Sequence, residues 1–424
     1  MENKIADKPE PTPLFRWIIL VFVSLAMFGN YYIYDSIAPI ADLLKASRGI
    51  SDEDIGLLYS SYSIAAIIVL LVGGYIIDKF GTKISLFAFA LICTVSAFIT
   101  AFAPDQNVML AGRFLLGVGS EPLIVAVTTS LAKWFKGKEL SFAFGLNLTI
   151  ARLGSVAADN SPTWAKSFYG DWQSPLFIAI ALALICLMAT IAYWILESNA
   201  EKKFELGKKS EIDKLDFKNL FKFGLSFWLI VGLCVTFYSA IFPFRTFAIK
   251  YFMEAHGTER EFAGMLNSIL PFSAMIATPL FGLLADRIGK RALLMSVGSF
   301  LLIPTYLLMT YTSISLFIPI AMMGISFSLI PAVMWPSVAY IVEEKRLGSA
   351  YALMTLIQQI GLAGMNWVIG SANDISNASA QNPAGYNLGM WIFSSLGLFG
   401  LLFAFLLRRS ETGPNSHGLE KGIK

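Results

Sequence analysis

The chain has 424 residues, of which 56% are hydrophobic and only 14% are charged, whereas a water-soluble domain carries about 25% charged residues. The composition therefore indicates an integral membrane protein. Its net charge of +3, from 32 basic and 29 acidic residues, is too small and too evenly balanced for a nucleic-acid-binding surface. Three cysteines within apolar runs and two histidines argue against a disulfide framework, a metal site and histidine catalysis, so we expect no cofactor.

Twelve apolar stretches are long enough to cross about 30 Å of hydrocarbon. They predict an all-α membrane protein with twelve transmembrane helices, at residues 15–46, 53–78, 83–103, 107–132, 138–165, 172–196, 223–252, 259–285, 291–311, 315–342, 346–373 and 384–409. The first stretch follows a polar leader, 1–14, without a small-residue cleavage site, so we expect a retained helix and no removed signal peptide.

The basic residues predict the orientation. If both termini are cytoplasmic, the inside segments hold 24 of the 32 basic residues, and the outside loops hold five, as the positive-inside rule requires. The five outside residues are Lys45, Arg48, Lys166, Lys250 and Arg260. The lysine-rich break at 197–222 predicts a cytoplasmic linker between two six-helix bundles, 15–196 and 223–409, with a cytoplasmic tail at 410–424. Lipid binding by this linker is the weaker interpretation.

A loop motif recurs in the two halves. After the second span and again after the eighth, a glycine, an aspartate, a basic residue and a second glycine occupy matching positions at an offset of 208 residues. These positions are Gly74, Asp78, Lys79 and Gly81, and then Gly282, Asp286, Arg287 and Gly289. Agreement at four positions indicates two six-helix halves that repeat in parallel orientation.

The repeated loop resembles the signature motif of the major facilitator superfamily, and Gly112-Arg113 in the fourth span is similar to that superfamily's second motif. The resemblance covers about residues 15–409 and implies a transporter that works by alternating access. It implies that the aspartates and bases of both loops, with Arg113, hold the halves together on one side and release them on the other.

A narrower resemblance is to the lysosomal dipeptide uniporter branch of that superfamily and its bacterial relatives. It rests on short motifs in chain order, Tyr31-Tyr32 with Tyr34-Asp35, Trp134 to Leu140, Ala143 to Leu146, Ala151 to Ser155, Phe242-Pro243-Phe244, Leu266-Asn267-Ser268, Trp335-Pro336 and Leu347 to Tyr351. It implies a dipeptide substrate, with the charged termini bound by Glu121 and Arg152.

Glu121 and Arg152 share a depth in the predicted helices. Each lies about 21 Å along its span, near the midplane, where ionisable residues indicate function. A dipeptide zwitterion would match this pair, with the guanidinium binding the carboxylate through two hydrogen bonds. A purely structural salt bridge is the alternative.

Asp35 and Arg245 lie at the outer ends of the first and seventh spans, which are equivalent helices of the two halves. We expect them to form an outer gate, and independent snorkelling to the interface is an equally good alternative. Asp159 precedes a helix-breaking Asn-Ser-Pro run, so we expect it to face outside water and exclude it from the site. Weaker cavity candidates, each more often used in helix packing, are Asn30, Tyr32, Tyr238, Asn267, Trp335, Gln358 and Gln359.

Other functions are less compatible with the sequence. A transporter of organic anions such as sugar acids is the runner-up, although Glu121 would repel an anion. A receptor or scaffold is disfavoured by the paired loops, and an enzyme by the lack of a nucleophile with a base or a phosphate-binding loop. Uniport and proton symport both stay open. We expect a monomer in lipid in an inner cell membrane, without an accessory glycoprotein.

Overall fold

The computed structural model of the protein describes residues 9–135, 139–204, 222–414 and 416–421. Twelve helices in these ranges are long and apolar enough to cross a membrane, which confirms the predicted fold class. Numbered in chain order, they are α1 (Pro13–Asp35), α2 (Asp52–Phe80), α3 (Thr82–Ala101), α4 (Gln106–Phe135), α5 (Leu140–Asp159), α6 (Ser174–Lys203), α7 (Leu225–His256), α8 (Arg260–Ile288), α9 (Arg291–Tyr311), α10 (Phe317–Ile341), α11 (Leu347–Ile375) and α12 (Asn387–Glu411).

Two predicted spans end earlier than the sequence suggested. The first, predicted to reach residue 46, stops at Asp35 and is followed by a 3-10 turn at Ala38–Ile40 and a short helix at Ala41–Arg48. The fifth, predicted to reach residue 165, stops at Asp159 before another short helix, Ser161–Trp164. A proline lies near the start of each following element, and since proline has no N–H, one helical hydrogen bond to the end of the preceding helix is missing.

Residue contacts divide the chain into two compact units. The first unit comprises Met1–Tyr34, Ile68–Ser155 and Leu176–Glu211, and the second comprises Asp35–Ile67, Val156–Pro175 and Ile212–Lys424. The second unit thus contains α7 to α12 together with the end of α5 and the beginning of α2. The predicted linker at 197–222 stays a prediction, and its residues 205–221 lie outside the described ones.

We call the side on which α1 ends and α2 begins the outer side, following the orientation predicted from the sequence. Two glycines permit close backbone contacts there, inside the second unit. A Cβ atom on Gly264 of α8 would lie 2.1 Å from the carbonyl oxygen of Asp159, and one on Gly370 of α11 would lie 2.3 Å from that of Asp52. Small residues of this kind let membrane helices approach closely, so α5 contacts α8 and α2 contacts α11.

The C-terminal tail folds back onto the second unit. The backbone N–H groups of Arg291 and Ala292, at the start of α9, donate to Leu419 O at 3.1 Å and to the Glu420 carboxylate at 2.9 Å. Both contacts satisfy donors that a helix N-terminus leaves free. Leu419 is fully buried, and the His417 backbone N–H donates to Glu411 of α12 at 2.7 Å. The tail therefore links α9 to α12.

Candidate functional site

Glu121 and Arg152 lie in the first unit, on α4 and α5 respectively, and both side chains are half-buried. Glu121 lies 14 residues before the inner end of α4 and Arg152 lies 12 residues after the inner start of α5. At 1.5 Å per residue these positions are about 21 Å and about 18 Å along their helices. Pro122, inside α4, directly follows the carboxylate, and its missing N–H interrupts the helical hydrogen bonds there.

A buried charge cluster lies at the outer side of the second unit. The Arg245 guanidinium of α7 donates to Asp35 Oδ1 at 3.4 Å and to Asp159 Oδ2 at 2.9 Å. The amide Nδ2 of Asn267, from α8, donates to Asp159 Oδ1 at 2.8 Å. We call these four residues, Asp35, Asp159, Arg245 and Asn267, the Arg245 cluster. It joins the outer ends of α1 and α5 to α7 and α8.

This cluster contains the predicted Asp35–Arg245 pair and corrects one prediction. The expectation that Asp159 faces outside water is wrong, because its side chain is 0% exposed and bound by Arg245 and Asn267. The Asn-Ser-Pro run does end α5, but α7 and α8 cover the helix end. Asn267, a candidate for the cavity, is 1% exposed and belongs to this cluster.

A second buried ion pair, which the sequence did not predict, lies further along α7. The ammonium group of Lys250 donates to both oxygens of Asp52, at 2.6 and 2.7 Å, and both residues are 0% exposed. Asn373 of α11 donates to Asp52 Oδ2 at 3.1 Å, and Lys45 donates to Asp52 Oδ1 at 3.1 Å. Lys250 lies inside the predicted span 223–252 but was counted with the outside loops, and that count is wrong, because the side chain is buried in α7.

The start of α2 is held by α11. The backbone N–H groups of Asp52 and Glu53 donate to the two carboxylate oxygens of Asp374, at 3.2 and 2.7 Å. A carboxylate at this position satisfies free helix donors and opposes the positive end of the helix dipole. We call Lys45, Asp52, Lys250, Asn373 and Asp374 the Lys250 cluster.

A third ion pair of the outer side lies at the start of α8. The Arg260 guanidinium at the start of α8 donates to both oxygens of Asp42, at 2.5 Å each, and to the carbonyl of Pro39 at 2.7 Å. The Arg260 guanidinium also lies over the ring of Tyr169, 5.5 Å from its centroid. Burial raises the pKa of Tyr169, so its hydroxyl stays protonated and pairs with Ser161 Oγ at 2.5 Å. Three cations from the C-terminal half thus bind carboxylates from the N-terminal half.

The loop residues occupy different environments. Asp78, Lys79, Asp286 and Arg287 are exposed, and Asp286 accepts a hydrogen bond from Arg291 at 2.6 Å. Arg113 is buried and donates to the carbonyls of Ile33 and Tyr34, at 3.1 and 3.0 Å. These are free acceptors at the C-terminal end of α1. Arg113 therefore fixes the chain immediately before Asp35, and its predicted gating role stays a prediction.

The remaining cavity candidates fall into two environments. Asn30 and Tyr32 are buried in the first unit, where Cys93 Sγ lies 3.7 Å from Asn30 Oδ1. In the second unit, Trp335 Nε1 donates to Tyr238 Oη at 3.0 Å, and both side chains are half-buried. On α11, Gln358 is half-buried and Gln359 is buried. Their contact with a substrate stays a prediction.

Replacing Gly264 by alanine should lower the stability of the protein. The new methyl group would lie 2.1 Å from a backbone oxygen of α5, so the helices must separate, and overpacking of this kind costs about 1–3 kcal/mol. The measurement is the melting temperature in detergent. Gly145→Ala in α5 is the matched control, because a Cβ there meets open space. Equal melting temperatures of the two variants would contradict the close contact.

The fold and the buried charges define a multi-pass membrane protein, and comparison with known proteins identifies its family. The sequence matches the family model of the Major Facilitator Superfamily over residues 23–247 and again over 244–423. The chain belongs to the Major Facilitator Superfamily, as the loop motifs predicted.

The relatives agree with this membership. The chain is 33% identical to the lysosomal dipeptide transporter MFSD1 of Danio rerio, over 85% of this chain and 81% of the relative. It is 31% identical to the protein of the same name from Homo sapiens, over 94% and 87%. The crystal structure of nucleoside transporter NupG superposes with a TM-score of 0.69 at 14% identity, over 92% of this chain and 98% of that one. These proteins are membrane transporters, so the predicted non-enzymatic function is confirmed.

Proposed function

We propose that the protein moves dipeptides across a membrane by alternating access, and that Glu121 and Arg152 bind the ammonium and carboxylate ends of the substrate. The observation that carries the proposal is the pair of opposite charges at similar depth on α4 and α5. Two relatives that share about a third of its sequence are named dipeptide transporters. Ionisable residues at this depth cost free energy to bury in the membrane, and they indicate a substrate pathway.

The charge pair would select substrates by length. Each added residue extends a peptide by about 3.3–3.6 Å, so two fixed charged ends favour a dipeptide over a tripeptide. The side chains of the dipeptide, which lie between these ends, would be recognised with little specificity. Arginine suits the carboxylate because its planar guanidinium donates two parallel hydrogen bonds, which a lysine ammonium cannot do.

The Asp35–Arg245 pair serves as the outer gate in this proposal. Ion pairs join α7 to α1, α2 and α5, and another joins α8 to the short helix Ala41–Arg48. In this proposal they close the outer side and must break before substrate can enter from that side. Proposed cavity contacts beyond the charged ends are Asn30, Tyr32, Tyr238, Trp335, Gln358 and Gln359. The two six-helix bundles, 15–196 and 223–409, would rock about the central site.

We place the protein in an inner cell membrane with both termini in the cytoplasm, because the inside segments then hold most of the basic residues. It would act as a monomer without an accessory glycoprotein. Uniport and proton symport are both compatible with one titratable carboxylate at the substrate site.

Ligand-induced stabilisation of the purified protein tests the substrate class. At 100 times its dissociation constant, a dipeptide should stabilise the protein by about 2.7 kcal/mol, seen as a rise in melting temperature. Single amino acids, tripeptides and sugar acids form the comparison panel. A rise with dipeptides alone supports the proposal. A rise with sugar acids alone would favour an organic-anion transporter instead.

A further inference from the structure

The Arg245 cluster contains more negative than positive charge. Asp35 and Asp159 share a single guanidinium, that of Arg245. Asp35 and Arg245 are each 5% exposed, and Asp159 is 0% exposed. Among the described residues, the ion pairs of both carboxylates go to Arg245. Two carboxylates that share a buried site cannot both be charged without a large cost.

One acceptor in the cluster has no donor. Asn267 is 1% exposed, and its side-chain oxygen Oδ1 has no hydrogen-bond partner among the described residues, although its Nδ2 donates to Asp159. A buried acceptor left without a donor costs about 1–3 kcal/mol. The nitrogen and oxygen of an amide exchange places by a 180° flip. With the amide flipped, a protonated Asp159 would donate its O–H to Oδ1, so the contact between Asp159 and Asn267 can form in both protonation states of Asp159.

The neighbouring charged groups are engaged elsewhere. On α7, Lys250 binds Asp52, and on α8, Arg260 binds Asp42. On α4, Arg113 donates to the carbonyls at the end of α1. Two phenol groups also face the cluster, Tyr59 of α2 towards Arg245 and Tyr169 towards Asp159. A phenol is neutral at physiological pH and does not change the count of charges.

We propose that the Arg245 cluster is a proton-binding site, in which Asp35 and Asp159 together take up one proton from the outer solvent when the outer side closes. The proton returns to the same solvent when the outer side opens and water hydrates both carboxylates. The site therefore couples the outer gate to external pH and carries no proton across the membrane. The inference rests on the gate in the proposed function but not on the identity of the substrate.

The sign of the pH dependence follows from the extra proton. Since the closed state binds one proton more than the open state, the closed-to-open ratio rises as pH falls, by up to about tenfold per pH unit. Neutralising Asp159 removes the need for the proton, because the negative charge of Asp35 and the positive charge of Arg245 then cancel. The ratio in Asp159→Asn should not change with pH.

Distances between two spin labels at the outer side test the proposal without any substrate. Ala46→Cys and Gln381→Cys place the labels at exposed positions of the second unit, and the three native cysteines are buried. Pulsed electron paramagnetic resonance would then give the closed fraction between about pH 5 and 8. We expect this fraction to rise with acidity in the wild-type background and to stay constant in Asp159→Asn.

Matched variants establish whether the Arg245 cluster is the source of the pH dependence. Asp171→Asn removes an exposed carboxylate that hydrogen-bonds Ser174, and it should keep the full pH dependence. Asp35→Asn should abolish the pH dependence of the closed fraction, as Asp159→Asn does. It replaces Asp159→Asn in the test if that variant does not fold. A constant closed fraction in the wild type would overturn the proposal. A shift caused by replacing choline with sodium at constant pH would also overturn it, in favour of a metal cation.

Discussion

Uptake of dipeptides should be lost when Arg152 is replaced by alanine. In the proposed site the guanidinium holds the substrate carboxylate by two charge-assisted hydrogen bonds. Removing one partner of a buried charge pair costs about 3–5 kcal/mol, which corresponds to at least about 100-fold in affinity. The measurements are uptake of a radiolabelled dipeptide into proteoliposomes and the dipeptide-induced rise in melting temperature.

Two further variants sharpen this test. Arg152→Lys keeps the charge but loses the paired hydrogen bonds, so we expect weak uptake that saturates only at higher dipeptide concentration. Arg409→Ala removes an exposed arginine at the end of α12 and should leave uptake unchanged. Wild-type uptake by Arg152→Ala would show that the carboxylate end is bound elsewhere.

Replacing Arg245 by alanine should open the outer side. The variant leaves Asp35 and Asp159 buried without their common counter-ion, a cost of about 3–5 kcal/mol in the closed state. In the open state water hydrates both carboxylates, so the closed-to-open ratio should fall by at least about 100-fold. The spin-label pair at residues 46 and 381 measures this ratio directly.

Dipeptide binding distinguishes a gate from a substrate site. Because the proposed role of Arg245 is at the gate, Arg245→Ala should still be stabilised by dipeptides. The combined variant Asp35→Asn, Asp159→Asn, Arg245→Met removes every charge of the cluster and should restore the closed state. Loss of dipeptide binding in Arg245→Ala, with an unchanged label distance, would rule out the gate.

The sequence predicted the helices and one ion pair because both depend on position along the chain. Apolar length located twelve spans, and equal depth on equivalent helices brought Asp35 together with Arg245, which the structure places 3.4 Å apart. The depth of a residue in the membrane follows from its position along the helix, because the rise per residue is fixed. Predicting the depth therefore does not require the rotation of the helices or the identity of their neighbours.

The burial and the partners of Asp159 and Lys250 could not be predicted from position along the chain. Both lie near the outer end of a span, where the sequence allows either solvent or a partner. The partners come from distant segments, since Asp159 binds Arg245 and Lys250 binds Asp52. One signal was present, namely that every one of these charges lies within or beside an apolar run. Such residues usually pair with one another.

The folded-back tail has a practical consequence for making the protein. Residues 416–421 cover the first N–H groups of α9 and bury Leu419, so this short segment is part of the folded structure. An affinity tag or fluorescent fusion belongs at the N-terminus, or beyond Lys424 after a flexible spacer. Trimming the chain at the end of α12 for crystallisation would uncap α9 next to the Asp286 loop.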